Sequence, residues 1–273
     1  MRDGTTLEHV TVGEGADARR IAVRVRDGVG PAIVWLGGFR SDMGATKAMA
    51  VDAFAAAEGR LFVRFDYSGH GESEGAFAAC TISTWLEDAE AVLAAHAPEA
   101  PVLIGSSMGG WIACLAARNR AARGEPAPTG LVLIAPALDF TEDLMWDKFS
   151  PEIRRTLEQD GVWLRQSAYA PEPDVISMAL IEDGRRNRLL TGPLDLGCPV
   201  HILQGMNDPD VPHPHAFRIL ERLPAAGTVL TLIADGDHRL SRPQDVVRLL
   251  SAVAEMATPV GAFSMISGSR KML

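Results

Sequence analysis

The chain has 273 residues, 47% of them apolar and only 6% aromatic, so it can bury one large core built mainly from Ala, Val, Leu and Ile. A formal net charge of −9 argues against nucleic acid or an anionic membrane surface as the main partner, because both need clustered cations. Three scattered cysteines, Cys80, Cys114 and Cys198, exclude a disulfide framework, have no C-x-x-C spacing, and suit a reducing, cytoplasmic setting.

The first residues lack a basic region followed by an apolar stretch, so no secretory leader is expected, and no run of about eighteen apolar residues marks a membrane span. Residues 20–26 alternate apolar and charged side chains, which predicts a half-exposed antiparallel edge strand. Residues 31–36 form a continuous apolar run and read as a buried strand, followed by the flexible Gly37-Gly38-Phe39-Arg40 connection. A helix from about residue 45 should stop at Gly59, and 61–65 is the next strand. The glycine-spaced loop Asp66-Tyr67-Ser68-Gly69-His70-Gly71 follows, then helical spacing over 84–96. Further buried strands are predicted at 101–104, 131–136 and 200–205, the last strand at 228–233, and a last helix over about 244–256. Strands alternating with helices imply a mostly parallel sheet covered on both faces.

Between Ala137 and Gly192 that rhythm breaks, and roughly fifty residues carry no clear strand. Such a segment needs helices of its own: Ser150-Pro151-Glu152 reads as a capped helix start, and 174–182 as a second helix. Its apolar residues Met145, Trp146, Phe149, Val162, Trp163 and Leu164 either hold a helical insert onto the core or line a substrate pocket. Residues 258–273, rich in Gly and Ser, are either a tail or an extra strand.

Chemistry concentrates at Gly105-Ser106-Ser107-Met108-Gly109, a G-x-S-x-G pentapeptide between an apolar strand and a helix. The pattern is that of a nucleophile elbow, a turn too tight for side chains two positions either side of the serine. A serine hydroxyl needs a base within hydrogen-bond reach, and the base needs an orienting acid. On this strand-helix pattern the order is serine, acid, histidine, each after the end of a strand. Asp208, after the strand ending at Gly205, is the chosen acid, with Asp210 as runner-up. His238, after the last strand, is the base, while Asp235 and Asp237 shape its loop. The backbone amide of Met108 is the first candidate oxyanion donor, and that of Phe39, after the 31–36 strand, is the second. Arg40 either pairs with Asp42, the favoured reading, or meets a substrate carboxylate. Among the other histidines, His9 and His96 read as surface residues, His201 as packing, and His70 either as a structural part of its loop, the favoured reading, or as a residue that approaches the site. His213 and His215 have H-x-H spacing but no further ligand cluster, so no metal site is assigned.

Taken in order, these stretches, together with Gly44-Ala45-Thr46-Lys47-Ala48, Arg64 to Gly69 and Asp237-His238-Arg239, resemble the α/β-hydrolase superfamily over nearly the whole chain. The likeness is strongest to the branch of mitochondrial acyl-protein thioesterases that also hydrolyse acyl glucuronides. It implies a single domain over 1–273 with an eight-stranded sheet and a small helical cap at 138–192. It also implies a Ser107–Asp208–His238 triad, no cofactor, and small acyl ester or thioester substrates, S-acylated protein among them. Gly37 departs from the pattern, since many members carry His there. A peptidase or amidase on the same triad, and a slow-turnover ligand-binding protein of the same fold, are the alternatives.

Overall fold

The computed structural model describes residues 4–166 and 173–258. Strands β1 (Thr6–Val12) and β2 (Arg19–Arg26) pair antiparallel, and from β3 (Val29–Leu36) onward the chain alternates. It runs through α1 (Thr46–Glu58), β4 (Arg60–Phe65), α2 (Ile82–His96), β5 (Val102–Ser106), α3 (Met108–Ala122) and β6 (Gly130–Ile134). Then come α4 (Pro151–Asp160), β7 (Val162–Arg165), β8 (Asp174–Ser177) and α5 (Met178–Arg186). β9 (Val200–Gly205), α6 (His213–Leu220), β10 (Thr228–Ile233) and α7 (Pro243–Ala257) complete it.

Eight strands form one sheet in the order β1-β2-β4-β3-β5-β6-β9-β10, antiparallel only where β2 meets β1 and β4. β5 and β6 are buried at every residue, as strands covered on both faces must be. Successive side chains enter opposite cores: Val34, Leu36 and Leu103 pack with α2 and α3, while Ile33, Trp35 and Ile104 pack with α1 and α7. This two-layer burial holds the carboxyl ends of β3, β5, β9 and β10 on one rim, where the site lies.

Local signals act where expected. Gly59 ends α1 in the left-handed region at φ 62°, its amide returning to Ala55 and Ala56. Ser150 caps α4 by accepting from the Ile153 amide, with Pro151 in the first turn.

Three expectations are corrected. The 20–26 stretch is not the edge: β1 lies outside it, and β2 is held between β1 and β4. The insert is not purely helical, because β7 and β8 pair antiparallel with Trp163 opposite Ile176. Residues 174–182 accordingly divide into β8 and the start of α5, whose break is marked by Ser177 capping the Leu180 amide. Four-residue strands are too short for a period-2 pattern to stand out. Of the six apolar insert residues, Met145 is buried and Trp146, Phe149 and Trp163 pack half-buried against the core. Val162 and Leu164 remain exposed. The expected tail or strand lies outside the described residues, apart from Thr258, which follows α7.

Candidate active site

The elbow is built by close approach. An added Cβ at Gly105 would stand 2.4 Å from the Gly109 oxygen, and one at Gly109 would stand 2.1 Å from the Leu36 oxygen. Both positions therefore exclude side chains. Between them Ser107 adopts φ 53°, ψ −116°, outside helical geometry, and stands at the N-cap position of α3 without a capping bond from its side chain. Its amide donates to the Ile134 oxygen at 2.8 Å, and its carbonyl accepts from Gly110 and Ala137. These bonds fix a strained backbone and leave the hydroxyl free to be presented at the rim.

Two other loops converge on it. After β9 the chain turns through Met206 and Asn207, whose amides donate to Ile233 and Gly236 of the β10 side. The loops touch so closely that a Cβ at Gly205 would meet the Gly236 oxygen at 2.5 Å. The result is a line of side chains: Ser107 Oγ lies 3.2 Å from His238 Nε2, and His238 Nδ1 lies 2.8 Å from Asp208 Oδ2. The carboxylate can only accept, so Nδ1 carries the proton and Nε2 is left to accept from the serine.

Asp208 is buried and over-determined. Its Oδ1 accepts the Asp210 and Val211 amides at 2.9 and 2.8 Å, and its Oδ2 accepts Gln204 Nε2 at 3.3 Å besides the imidazole. Asp210, the runner-up, donates its backbone amide to that carboxylate, while the ring's Nδ1 is bonded to Asp208. Asp237 accepts the Leu240 amide and Asp235 pairs with Arg242, as loop-shaping residues should. The Asp208, Asp210 and His238 ligand atoms lie within 4.8 Å of one another, a spacing that could hold a metal ion. Both Asp208 oxygens are, however, already engaged by nitrogen donors. Of the H-x-H pair, His215 is committed to the Leu138 oxygen at 2.8 Å and His213 stacks edge-on against Phe217.

Met108 opens α3, so its amide is a first-turn donor without an intrahelical acceptor. Phe39 follows Gly38, where an added Cβ would lie 3.5 Å from the Ser107 Cβ, so this loop runs against the nucleophile. The Phe39 ring is anchored edge-on among Phe77, Trp85 and Phe140, with centroids 5.0–6.0 Å away. Arg40 does not pair with Asp42, which instead accepts the Gly44 amide. Its guanidinium lies 3.2 Å from buried Asp174 at the start of β8 and over the Phe77 ring, because the insert folds back onto this loop.

Lys47 and His70, from two stretches that the sequence singles out, reach the site's surroundings. Lys47, in α1, donates to the carbonyl of Arg239, next to His238; burial pulls its ammonium down to about 8. His70 accepts the Arg40 amide, and burial lowers its ring to about 4. Both are long-range contacts that periodicity cannot show. The thiols take no part: burial raises Cys80 to about 11 and Cys198 to about 12, and it raises Cys114 further.

Residues 30–177 match the family Hydrolase_4, described as serine aminopeptidase, S33. The chain belongs to the α/β-hydrolase family. This α/β hydrolase is 32% identical over 237 residues to the mouse protein named palmitoyl-protein thioesterase ABHD10, mitochondrial, covering 86% of its own length and 78% of the relative's. Its bovine counterpart is 30% identical over 241 residues. Among solved structures, a putative hydrolase from Agrobacterium vitis S4 shares 51% identity at TM-score 0.91, covering 93% of this chain and 99% of that one. The mouse ABHD10 structure shares 29% identity at TM-score 0.81, covering 92% and 98%. Family and relatives group the hydrolase with enzymes of esters and thioesters.

Proposed function

We propose that this α/β hydrolase cleaves carboxylic esters or thioesters by a serine-dependent route through an acyl-enzyme on Ser107. The single observation that carries the proposal is the unbroken hydrogen-bonded line from Ser107 Oγ through His238 to Asp208. His238 Nε2 takes the hydroxyl proton as Oγ attacks the acyl carbon, and Asp208 stabilises the imidazolium that forms. The Phe39 and Met108 amides receive the developing oxyanion; losing one such donor typically costs about 2.7–4 kcal/mol. The imidazolium then protonates the departing alkoxide or thiolate. Water, deprotonated by the same nitrogen, attacks the ester on Ser107, and the carboxylic acid leaves with the serine restored.

Thioesters of long acyl chains, including S-acylated protein, are the favoured substrates, on the strength of relatives named palmitoyl-protein thioesterase. Residues 138–192 act as a cap over the rim, carrying α4, β7, β8 and α5. A second function, amide-bond cleavage, is favoured by the family's description as a serine aminopeptidase. A fluorophosphonate probe should label the protein at Ser107, and Ser107→Ala should abolish labelling and turnover together. Labelling that survives that substitution contradicts the serine route. Matched ester, thioester and amide substrates then separate the two chemistries.

A further inference from the structure

The His70 ring is held from both sides in a way that fixes its chemistry. Nδ1 lies 3.1 Å from the Ser68 carbonyl oxygen, which can only accept. Nε2 lies 3.1 Å from the Arg40 amide, which can only donate. The two contacts can coexist in one species alone, the neutral ring protonated at Nδ1, because an imidazolium has no lone pair for the Arg40 amide. The Ser68 oxygen is itself pinned, accepting Trp85 Nε1 at 3.1 Å. The ring sits edge-on between Tyr67, Phe77 and Trp85, with centroids 6.0, 5.1 and 5.6 Å away.

Its partner is the peptide joining Phe39 to Arg40. Arg40 lies in the left-handed region at φ 57° without being glycine. Such a conformation persists where the surroundings over-determine it. Here the amide is tied to His70, the guanidinium to Asp174, and the preceding ring to Phe77 and Trp85. The Ser41 amide closes the turn on the Gly38 oxygen at 3.1 Å. The same turn brings Gly38, the residue before Phe39, against Ser107, where an added Cβ would lie 3.5 Å from the Ser107 Cβ.

We infer that His70 is a positioning residue for hydrolysis: its unprotonated Nε2 holds the Phe39–Arg40 peptide so that the Phe39 amide is preset for the oxyanion. The inference rests on the proposed role of Phe39 as an oxyanion donor. His70 touches neither the nucleophile nor, by this geometry, the substrate; it acts through the peptide it restrains. Releasing that peptide frees the adjoining Gly38–Phe39 peptide, which carries the Phe39 N–H, to turn away, and the value of such a donor depends on its being preorganised. His70 would therefore affect the transition state more than ground-state binding.

Two amide replacements separate the ring's two contacts. His70→Asn can still donate to Ser68 but is too short for Arg40; His70→Gln reaches Arg40 with an oxygen that accepts its amide. His70→Asn should lower kcat on an aryl ester about 10–100-fold with little change in KM. Affinity for a trifluoromethyl ketone, which adds to the serine and generates the same oxyanion, should fall by the same factor. His70→Gln should stay within about fivefold of the parent. Equal kcat in both variants, or a loss confined to KM, would overturn the inference. Ser107→Ala is measured alongside: if it still turns over, the serine route fails, whereas an inert Ser107→Ala beside a normal His70→Asn sinks only the role of His70. Should the Asn variant not fold, the imidazole nitrogen spectrum of the unmodified protein decides. An unprotonated Nε2 on His70 down to about pH 5 is expected, and a protonated Nε2 at neutral pH overturns the inference.

Discussion

Replacing Asp208 by Asn tests the relay at its most constrained member. The carboxylate's Oδ1 faces two backbone donors, the Asp210 and Val211 amides at 2.9 and 2.8 Å. An asparagine must place its oxygen there, because its NH2 group would otherwise oppose two N–H groups. The NH2 group is thereby turned toward His238 Nδ1, which sits 2.8 Å from the present Oδ2. Nδ1 must then accept, the ring proton moves to Nε2, and Nε2 can no longer take the proton of Ser107. In another serine hydrolase the same change of tautomer lowers kcat by about 10⁴-fold, and the same order is expected here. That is about 5.4 kcal/mol at about 1.36 kcal/mol per decade. The assay is steady-state hydrolysis of an aryl ester, with thermal unfolding to show that the variant is folded. Asp210→Asn, measured in parallel, should lower kcat far less, because the ring Nδ1 is bonded to Asp208 Oδ2 at 2.8 Å. Retention of more than about a tenth of the parent kcat by Asp208→Asn, or an equal loss in Asp210→Asn, would refute the assignment of the acid.

Gly109→Ala would place a Cβ 2.1 Å from the Leu36 oxygen, and should cost about 3 kcal/mol or prevent folding. Gly192→Ala, with nothing within 4 Å, should stay within about 0.5 kcal/mol in denaturant titrations. Acid stability should carry a contribution from His70, whose ring burial lowers from its ordinary 6.5 to about 4. As pH falls through that window the unfolded chain binds a proton that the folded chain refuses, so stability drops, by up to about 3 kcal/mol. The guanidinium of Arg40 adds to the refusal. His70→Gln should flatten the slope of unfolding free energy between those two values, and an unchanged slope would count against burial as its cause. Asp183 joins α5 to α2 by accepting the Ser83 amide at 2.7 Å and the Ser83 hydroxyl at 2.8 Å. Asp183→Ala should therefore destabilise by about 1–2 kcal/mol, read from the denaturant midpoint, by removing the charged acceptor at the start of α2.

Much of this architecture was legible because its causes are local. Apolar runs marked β5, β6 and β9, Gly59 stopped α1 through its positive φ, and the Ser150-Pro151 pair opened α4. The elbow could be placed because Gly105 and Gly109 answer a steric demand within five residues. The Ser107, Asp208 and His238 positions followed from the order of strand ends, and the structure brings those three side chains into one line. What the pattern hid depends on partners distant in the chain. β1 is exposed along most of its length, so it has no apolar face to announce an edge strand. α6 begins at Pro212-His213-Pro214, a turn-like start, and is only eight residues long. β7 and β8 gain their regularity from each other rather than from their own sequences. Arg40 meets Asp174 across more than a hundred residues, so no reading of its neighbours could predict the pairing over that with Asp42.

Direct capture of the covalent intermediate is the decisive measurement. A slowly deacylating activated ester or thioester, mixed with the protein and quenched in acid, should add the mass of one acyl group per chain. Fragmentation should map that acyl group to Ser107, and Ser107→Ala should show no adduct. An adduct on another residue, or full turnover by Ser107→Ala, would contradict nucleophilic catalysis by this serine.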